Sequence, residues 1–219
     1  MSGRPKDHAD DPFGGRRPTS HEQMTGKPWD ASYQDGPAPW DIGTPQPVVV
    51  RLASEGGFAG VVLDAGCGTG ENTLHIAALG LKVLGVDVAE TALAIARTRA
   101  AERGLEAEFT TADAFHLERL GCKFDTVLDC GLFHTFNNEE RPGYVRSLAK
   151  VMEHGGTLYV LCFGDQEPDI GPHPVSEKDL RDAFSTDDGW DIVSLQPERI
   201  ETRVHENGVS AWLATIRRD

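Results

Sequence analysis

From residue 61 onward the chain alternates short apolar runs with amphipathic stretches. Val61-Val62-Leu63 is an apolar run closed by a glycine-rich turn, the pattern of a strand buried on both faces. Residues 71–79 place Leu74, Ala77 and Ala78 on one helical face, and residues 82–88 form a second strand. Residues 90–103 are rich in strong helix formers, with Gly104 positioned as the C-terminal stop. Residues 107–112 and 124–130 read as further strands. Tyr144, Val145, Leu148, Ala149 and Met152 recur at helical spacing, and Gly155-Gly156 are placed to end that helix. A strand at 157–163, a capped helix at 176–184 and two mutually antiparallel strands at 191–195 and 209–216 complete the pattern. Repeated βα units ending in two strands predict an α/β fold. Its sheet has seven strands, is mainly parallel with an antiparallel last strand, and carries helices on both faces.

The first thirty residues break this pattern. They hold four Pro, four Gly, five basic and five acidic residues and almost no aliphatic side chain. Such a segment buries too little apolar surface to offset its ordering entropy, so residues 1–28 are predicted to be a disordered tail. Trp29, Tyr33 and Trp40 then sit among Pro and Gly. Large aromatics left in water are a solubility liability, so residues 29–47 are expected to fold over the body as a lid. Ordinary packing against the core edge is the alternative. No internal repeat or second core is visible, and residues 29–219 read as one domain.

The chain of 219 residues carries 21 Lys and Arg against 35 Asp and Glu, a net charge of −14. That excess opposes binding to nucleic acid or to an anionic membrane. No apolar run approaches the ~20 residues that a membrane-spanning helix needs. The N-terminus lacks an apolar signal core. Cys67, Cys122, Cys130 and Cys162 form no CxxC pair and are too sparse for a disulfide scaffold. A reduced, cytoplasmic protein is expected, and monomer and homodimer both remain open.

In an open α/β sheet, ligands bind beyond the carboxyl ends of the strands. There the chain reads Asp64-Ala65-Gly66-Cys67-Gly68-Thr69-Gly70. Glycines at alternate positions let the backbone approach a ligand. The pattern is neither the dinucleotide G-x-G-x-x-G nor a phosphate loop, which argues against an NAD(P) dehydrogenase. Asp64 would repel a pyrophosphate but suits an ammonium group. Asp87, followed by Val88, ends the second strand, where an acid can accept the hydroxyls of a ribose. Asp113-Ala114 close the third strand and Asp129-Cys130-Gly131 the fourth.

Taken together, the Asp-x-Gly-x-Gly-x-Gly run, Asp87, Asp113 and the Phe124-Asp125-Thr126-Val127 strand resemble a Rossmann-like (class I) S-adenosylmethionine (SAM) methyltransferase over residues 38–218. The resemblance implies that Asp64, Gly66, Cys67, Gly68 and Gly70 hold the methionine moiety. It gives Asp87 and Val88 the ribose, Asp113 and Ala114 the adenine, and Asp129 and Cys130 the amino-acid end. Ala89 departs from the Ser that caps the following helix in many relatives. Ala38-Pro39-Trp40-Asp41-Ile42-Gly43, Leu132-Phe133-His134, Arg141-Pro142 with Tyr144, and Gly171-Pro172 followed by Val175-Ser176-Glu177 are similar to the thiol, halide and thiopurine methyltransferases. They are also similar to small actinobacterial enzymes acting on phenols and quinols. In such enzymes the N-terminal segment closes over cofactor and substrate, which would set Trp40 over the cofactor.

Methyl transfer needs a nucleophile near the methyl carbon and exclusion of water. A thiol needs positioning, whereas a phenol near pKa ~10 gains from a base. His134 is the leading candidate base. His173, in a loop beside Gly171-Pro172, is the other candidate base and is expected to face the substrate, as are the walls Tyr33, Phe133 and Phe163; His75 and His116 read as scaffold. Asp129, Asn137, Asn138, Asp165 and Asp169 match no metal signature, so no metal is expected. The leading expectation is a SAM-dependent enzyme methylating a small molecule at a thiol or other soft nucleophile. The alternatives are O-methylation of a phenol or quinol and a non-catalytic SAM-binding domain.

Overall fold

The computed structural model describes residues 11–167 and 171–219. Strands β1 (Val61–Ala65), β2 (Lys82–Asp87), β3 (Glu108–Thr111), β4 (Phe124–Cys130), β5 (Met152–Phe163), β6 (Trp190–Ile200) and β7 (Val209–Arg218) form one sheet in the order β3-β2-β1-β4-β5-β7-β6. The first five are parallel, and β7 runs antiparallel to both of its neighbours. The helices are α1 (Ser20–Thr25), α2 (Pro47–Ser54), α3 (Glu71–Ala77), α4 (Glu90–Arg103), α5 (Arg141–Val151) and α6 (Glu177–Ala183). Among the described residues none is long and apolar enough to cross a membrane.

The two-residue period of the strands divides the core between the faces of the sheet. Leu63, Val127, Leu158 and Val160 pack with Tyr144, Leu148 and Leu180 of α5 and α6. Their neighbours Val62, Leu128, Tyr159 and Leu161 pack with Val49 and Leu52 of α2 and Ile76 of α3. The order of the strands reverses between β1 and β4, so the crevice that opens beyond the carboxyl ends falls at Ala65, Asp87 and Cys130.

Three local expectations change. Helix α5 stops at Val151 without reaching Gly155-Gly156, because Met152 already pairs with Phe124 and is buried. The glycines instead lie inside β5, where the β4–β5 register skips. Strand β6 continues past Leu195 to Ile200, carried by ladder pairing to β7, and its Pro197 is tolerated on an edge strand. The tail predicted over residues 1–28 is corrected from Asp11 onward, residues 1–10 lying outside the described part. Residues 11–28 form an ordered arm containing α1.

The arm is ordered by polar bonds in place of apolar area. Thr19 caps α1 in a reciprocal capping box with Glu22. The buried Glu22 carboxylate also accepts from the Trp29 N–H at 3.0 Å and from the Arg16 guanidinium. Ser20 fastens the arm to the body, its N–H and hydroxyl donating to Glu140 at 2.7 and 2.6 Å.

Candidate functional site

A cavity of about 530 Å³ opens beyond the carboxyl ends of β1, β2 and β4. The body supplies one side through the glycine turn, Asp87, Asp113, residues 130–132 and residues 134–136. The other side comes from Arg16, His21 and Met24 of the arm and from Trp29, Tyr33 and Trp40.

The glycine turn forms the floor. Gly68 has φ +53°, and a Cβ added there would stand 3.1 Å from the Tyr33 hydroxyl, so the turn needs both the left-handed backbone and the missing side chain. Asp87 Oδ2 accepts the Gly68 N–H and Oδ1 the Ala89 N–H, each at 2.9 Å. Burial nevertheless raises its carboxyl above the ordinary range. Residues 29–47 are tied to this floor through Asp41, which accepts from the Thr69 hydroxyl at 2.9 Å; within the same segment Trp40 donates its indole N–H to the Tyr33 hydroxyl at 2.9 Å.

Val88, Ala114 and Phe115 make an apolar slot beside Asp87. Asp113 faces the cavity, but its carboxylate accepts the Phe115 N–H at 3.0 Å and meets His116 at 3.0 Å. Cys67 and Cys130 line the cavity too, and burial pushes both thiols up, so neither is a ready nucleophile.

On the far side His134 and Phe163 stack at 4.0 Å between ring centroids, 21° from parallel. Both line the cavity. His134 Nδ1 accepts the Phe163 N–H at 3.2 Å. Burial, then Arg141, His173 and His21, push its pKa down to about 3.

Five of the expected site residues lie outside the cavity wall. Asp64 is enclosed behind the turn, bound by the Thr73 hydroxyl at 2.5 Å, and burial raises its pKa to about 7. Gly70 serves packing, since a Cβ there would meet Ala96 and Phe109. Asp129 is enclosed and accepts from Leu132 and Phe133 N–H at 2.9 and 3.1 Å. Phe133 is corrected from wall to core. The single helical turn that follows β4 rotates it inward, against Phe184 at 5.6 Å and under the Arg141 guanidinium at 5.2 Å. His173 lies in a side groove with Asn137 and Arg141, its Nε2 2.9 Å from the Ser20 hydroxyl. Tyr33 lines the cavity, but over the glycine turn, away from the side that His134 occupies.

Arg16, His21 and Met24 were missed because a compositional reading discards the segment that carries them. The Thr19-x-x-Glu22 spacing was the available signal. Among the described residues no group of three His, Cys, Asp or Glu side chains could hold a metal ion; Asp169 lies outside them.

Residues 62–156 match the family model described as a methyltransferase domain. Over 204 residues the chain is 36% identical to a 2-heptyl-1-hydroxyquinolin-4(1H)-one methyltransferase of Mycobacteroides abscessus, covering 83% of this chain and 89% of that one. A protein solved in work on the conversion of a disulfide bond into a thioacetal group during echinomycin biosynthesis superposes with a TM-score of 0.74. It is 37% identical and covers 83% of this chain and 84% of its own. Magnesium protoporphyrin IX methyltransferase from Synechocystis, solved with bound SAM, superposes with a TM-score of 0.61 at 27% identity, covering 78% and 76% of the two chains.

Proposed function

Because the chain belongs to the SAM-dependent methyltransferases, we propose that its cavity binds SAM over the glycine turn and takes a planar aromatic acceptor, methylated at an ionisable hydroxyl, against His134 and Phe163. It is an enzyme that methylates small molecules with SAM. The residues fit the cofactor. Gly66 and Gly68 keep the turn free of side chains that would press on Leu132 and Tyr33 and leave its backbone at the cavity wall, Asp87 offers a carboxylate acceptor for a ribose diol, and Val88, Ala114 and Phe115 offer an apolar slot for a purine. When bound, SAM supplies the methyl group as an electrophile on a sulfonium, a cation that aromatic faces and a net charge of −14 do not oppose. Asp129 supports this site from behind by shaping the turn after β4, and Asp64 by tying β1 to α3 through the Thr73 hydroxyl.

The observation that carries the acceptor class is the wall opposite the glycine turn. It is mostly apolar and aromatic and includes one ring whose free nitrogen stays uncharged. A flat ring fits against the stacked His134–Phe163 pair, and the hydroxyquinolone relative carries a hydroxyl on such a ring. A sulfur acceptor is the second reading, favoured by the relative associated with disulfide-to-thioacetal conversion. The arm and residues 29–47 wall the cavity on one side, where they would limit water at the reacting end. Four free thiols accord with a cytoplasmic setting, and the acidic surface disfavours nucleic acid as substrate.

The test is release of S-adenosylhomocysteine with a thiophenol and the phenol of the same shape, across pH. Turnover of the phenol is expected. Turnover of the thiol alone would replace the hydroxyl reading with the sulfur one.

A further inference from the structure

His134 stands at the point where the parallel ladder between β4 and β5 runs out. Gly131 N–H is the last group after β4 to bond β5, reaching the Leu161 carbonyl at 2.9 Å. Two residues further on, Phe163 presents its N–H to the same side, beyond the end of β4. A backbone donor in such a place needs an acceptor, and His134 Nδ1 supplies it at 3.2 Å. The ring is held there by its stack on the Phe163 side chain, with only 6% of the residue exposed.

This contact decides where the imidazole carries its proton. A neutral ring has one N–H and one lone pair; the lone pair on Nδ1 is used, so the hydrogen is on Nε2. Among the described residues Nε2 has no hydrogen-bond partner, and the ring borders the cavity. The charged and titratable groups around it, among the described residues, are Arg141 of α5, His173 of the 171–174 loop and His21 of the arm. Each opposes a second proton on the ring, as does burial, and the pKa of about 3 keeps the ring neutral across the range in which enzymes work.

We infer that His134 donates Nε2–H to the acceptor's anionic oxygen or sulfur and is not the base that deprotonates it. The inference rests on the methyltransferase reading of the cavity and deepens it by specifying the form in which the acceptor binds. The proton leaves for water before transfer. The lone pair of the anion forms the bond to the methyl carbon, and the carbon–sulfur bond breaks with its electron pair remaining on sulfur. A charge-assisted hydrogen bond favours the anion over its conjugate acid, so the site selects acceptors that ionise near neutrality: hydroxyls on electron-poor heteroaromatic rings and acidic thiols.

Two measurements on the full-length protein loaded with S-adenosylhomocysteine test this. The first follows 4-nitrophenol by absorbance across pH. Donation lowers the apparent pKa of the bound probe by about one unit, a tenfold preference for the anion, and His134→Phe abolishes that shift while leaving S-adenosylhomocysteine affinity unchanged. An unshifted or raised probe pKa in the wild-type protein overturns the assignment without recourse to any variant. The second uses SAM and pentafluorothiophenol, which is already ionised. A donor is still needed by this acceptor, so His134→Phe lowers kcat/KM about tenfold. A base is not needed, so a variant equal to wild type overturns the inference. Failure of every acceptor to turn over, with the nitrophenol shift intact, would count against the acceptor reading and leave the donor assignment standing.

Discussion

Single carboxyl groups show how burial and bonding divide labour in this site. Asp87 keeps lone pairs toward the cavity after accepting from Gly68 and Ala89. Asp87→Ala is expected to weaken SAM binding at least about tenfold by calorimetry, the scale of a lost charge-assisted bond. Asp129 is wholly enclosed, and burial raises its pKa to about 7. Its Oδ2 and the hydroxyl of Tyr144 are both enclosed and, among the described residues, have no hydrogen-bond partner of normal geometry. In the unfolded chain an aspartate titrates near ~4, so unfolding between these values releases a proton. The contribution of Asp129 to stability is therefore full below about pH 4 and is lost as pH rises through about 7. Asp129→Asn keeps the acceptor for Leu132 and Phe133 and removes the ionisation. It is expected to match wild type in melting temperature at pH 4 and to exceed it at pH 8, by about 1 kcal/mol or more. An unchanged pH dependence of the melting temperature would count against that placement.

Among the elements, the contact between the lid and α4 answers a question that the sequence raises. Ala89 stands at the N-cap of α4, where it offers no side-chain bond. The cap comes from outside the helix. Asp30 accepts the Thr91 N–H at 2.7 Å and the Thr91 hydroxyl at 2.8 Å. Burial tends to raise the Asp30 carboxyl, but these two bonds outweigh it and hold the pKa below the ordinary value. A depressed carboxylate stabilises above the unfolded pKa, so docking is sustained at neutral pH and lost as pH falls through the folded value. Asp30→Ala is expected to cost about 1 kcal/mol, as N-cap losses do, and to speed amide exchange across residues 29–47. Exchange rising in α4 alone would make Asp30 a helix cap without a lid role. Much was legible at this scale: the helix over 90–103 and the strand over 124–130 have the bounds expected from residue type. Helix α5 and β6 differ because ladder pairing, which joins residues far apart in sequence, outweighs local glycine and proline signals.

For the molecule as a whole, the arm and residues 29–47 wall one side of the crevice beyond the strand ends. The arm touches the body through polar bonds, chiefly Ser20 to Glu140 and His173. The cores on either face of the sheet draw nothing from it. Deleting residues 1–28 is therefore expected to leave the melting temperature within a few degrees of wild type. The acceptor KM should rise about tenfold, while SAM affinity falls less, because a cover that excludes water acts on the reacting end of the site. A truncated protein with an unchanged KM would remove the arm from the mechanism.

By itself, the sequence determined the order of βα units, the sheet they form, and the strand-end groups that line the cavity: the glycine turn, Asp87, and Asp113 with Ala114. These depend on residue type at local spacing, which packing at the carboxyl ends of strands must respect. Only the tertiary structure decided which side of each strand-end turn faces the cavity. Phe133 and His134 are adjacent in sequence, yet one is enclosed in the core and the other lines the site. Only the tertiary structure made an ordered arm of residues with little apolar surface, through a carboxylate that gathers Arg16, Thr19 and Trp29. It also fixed the proton of His134 on Nε2, because the N–H that occupies Nδ1 belongs to a strand twenty-nine residues away, where no local pattern could reveal it.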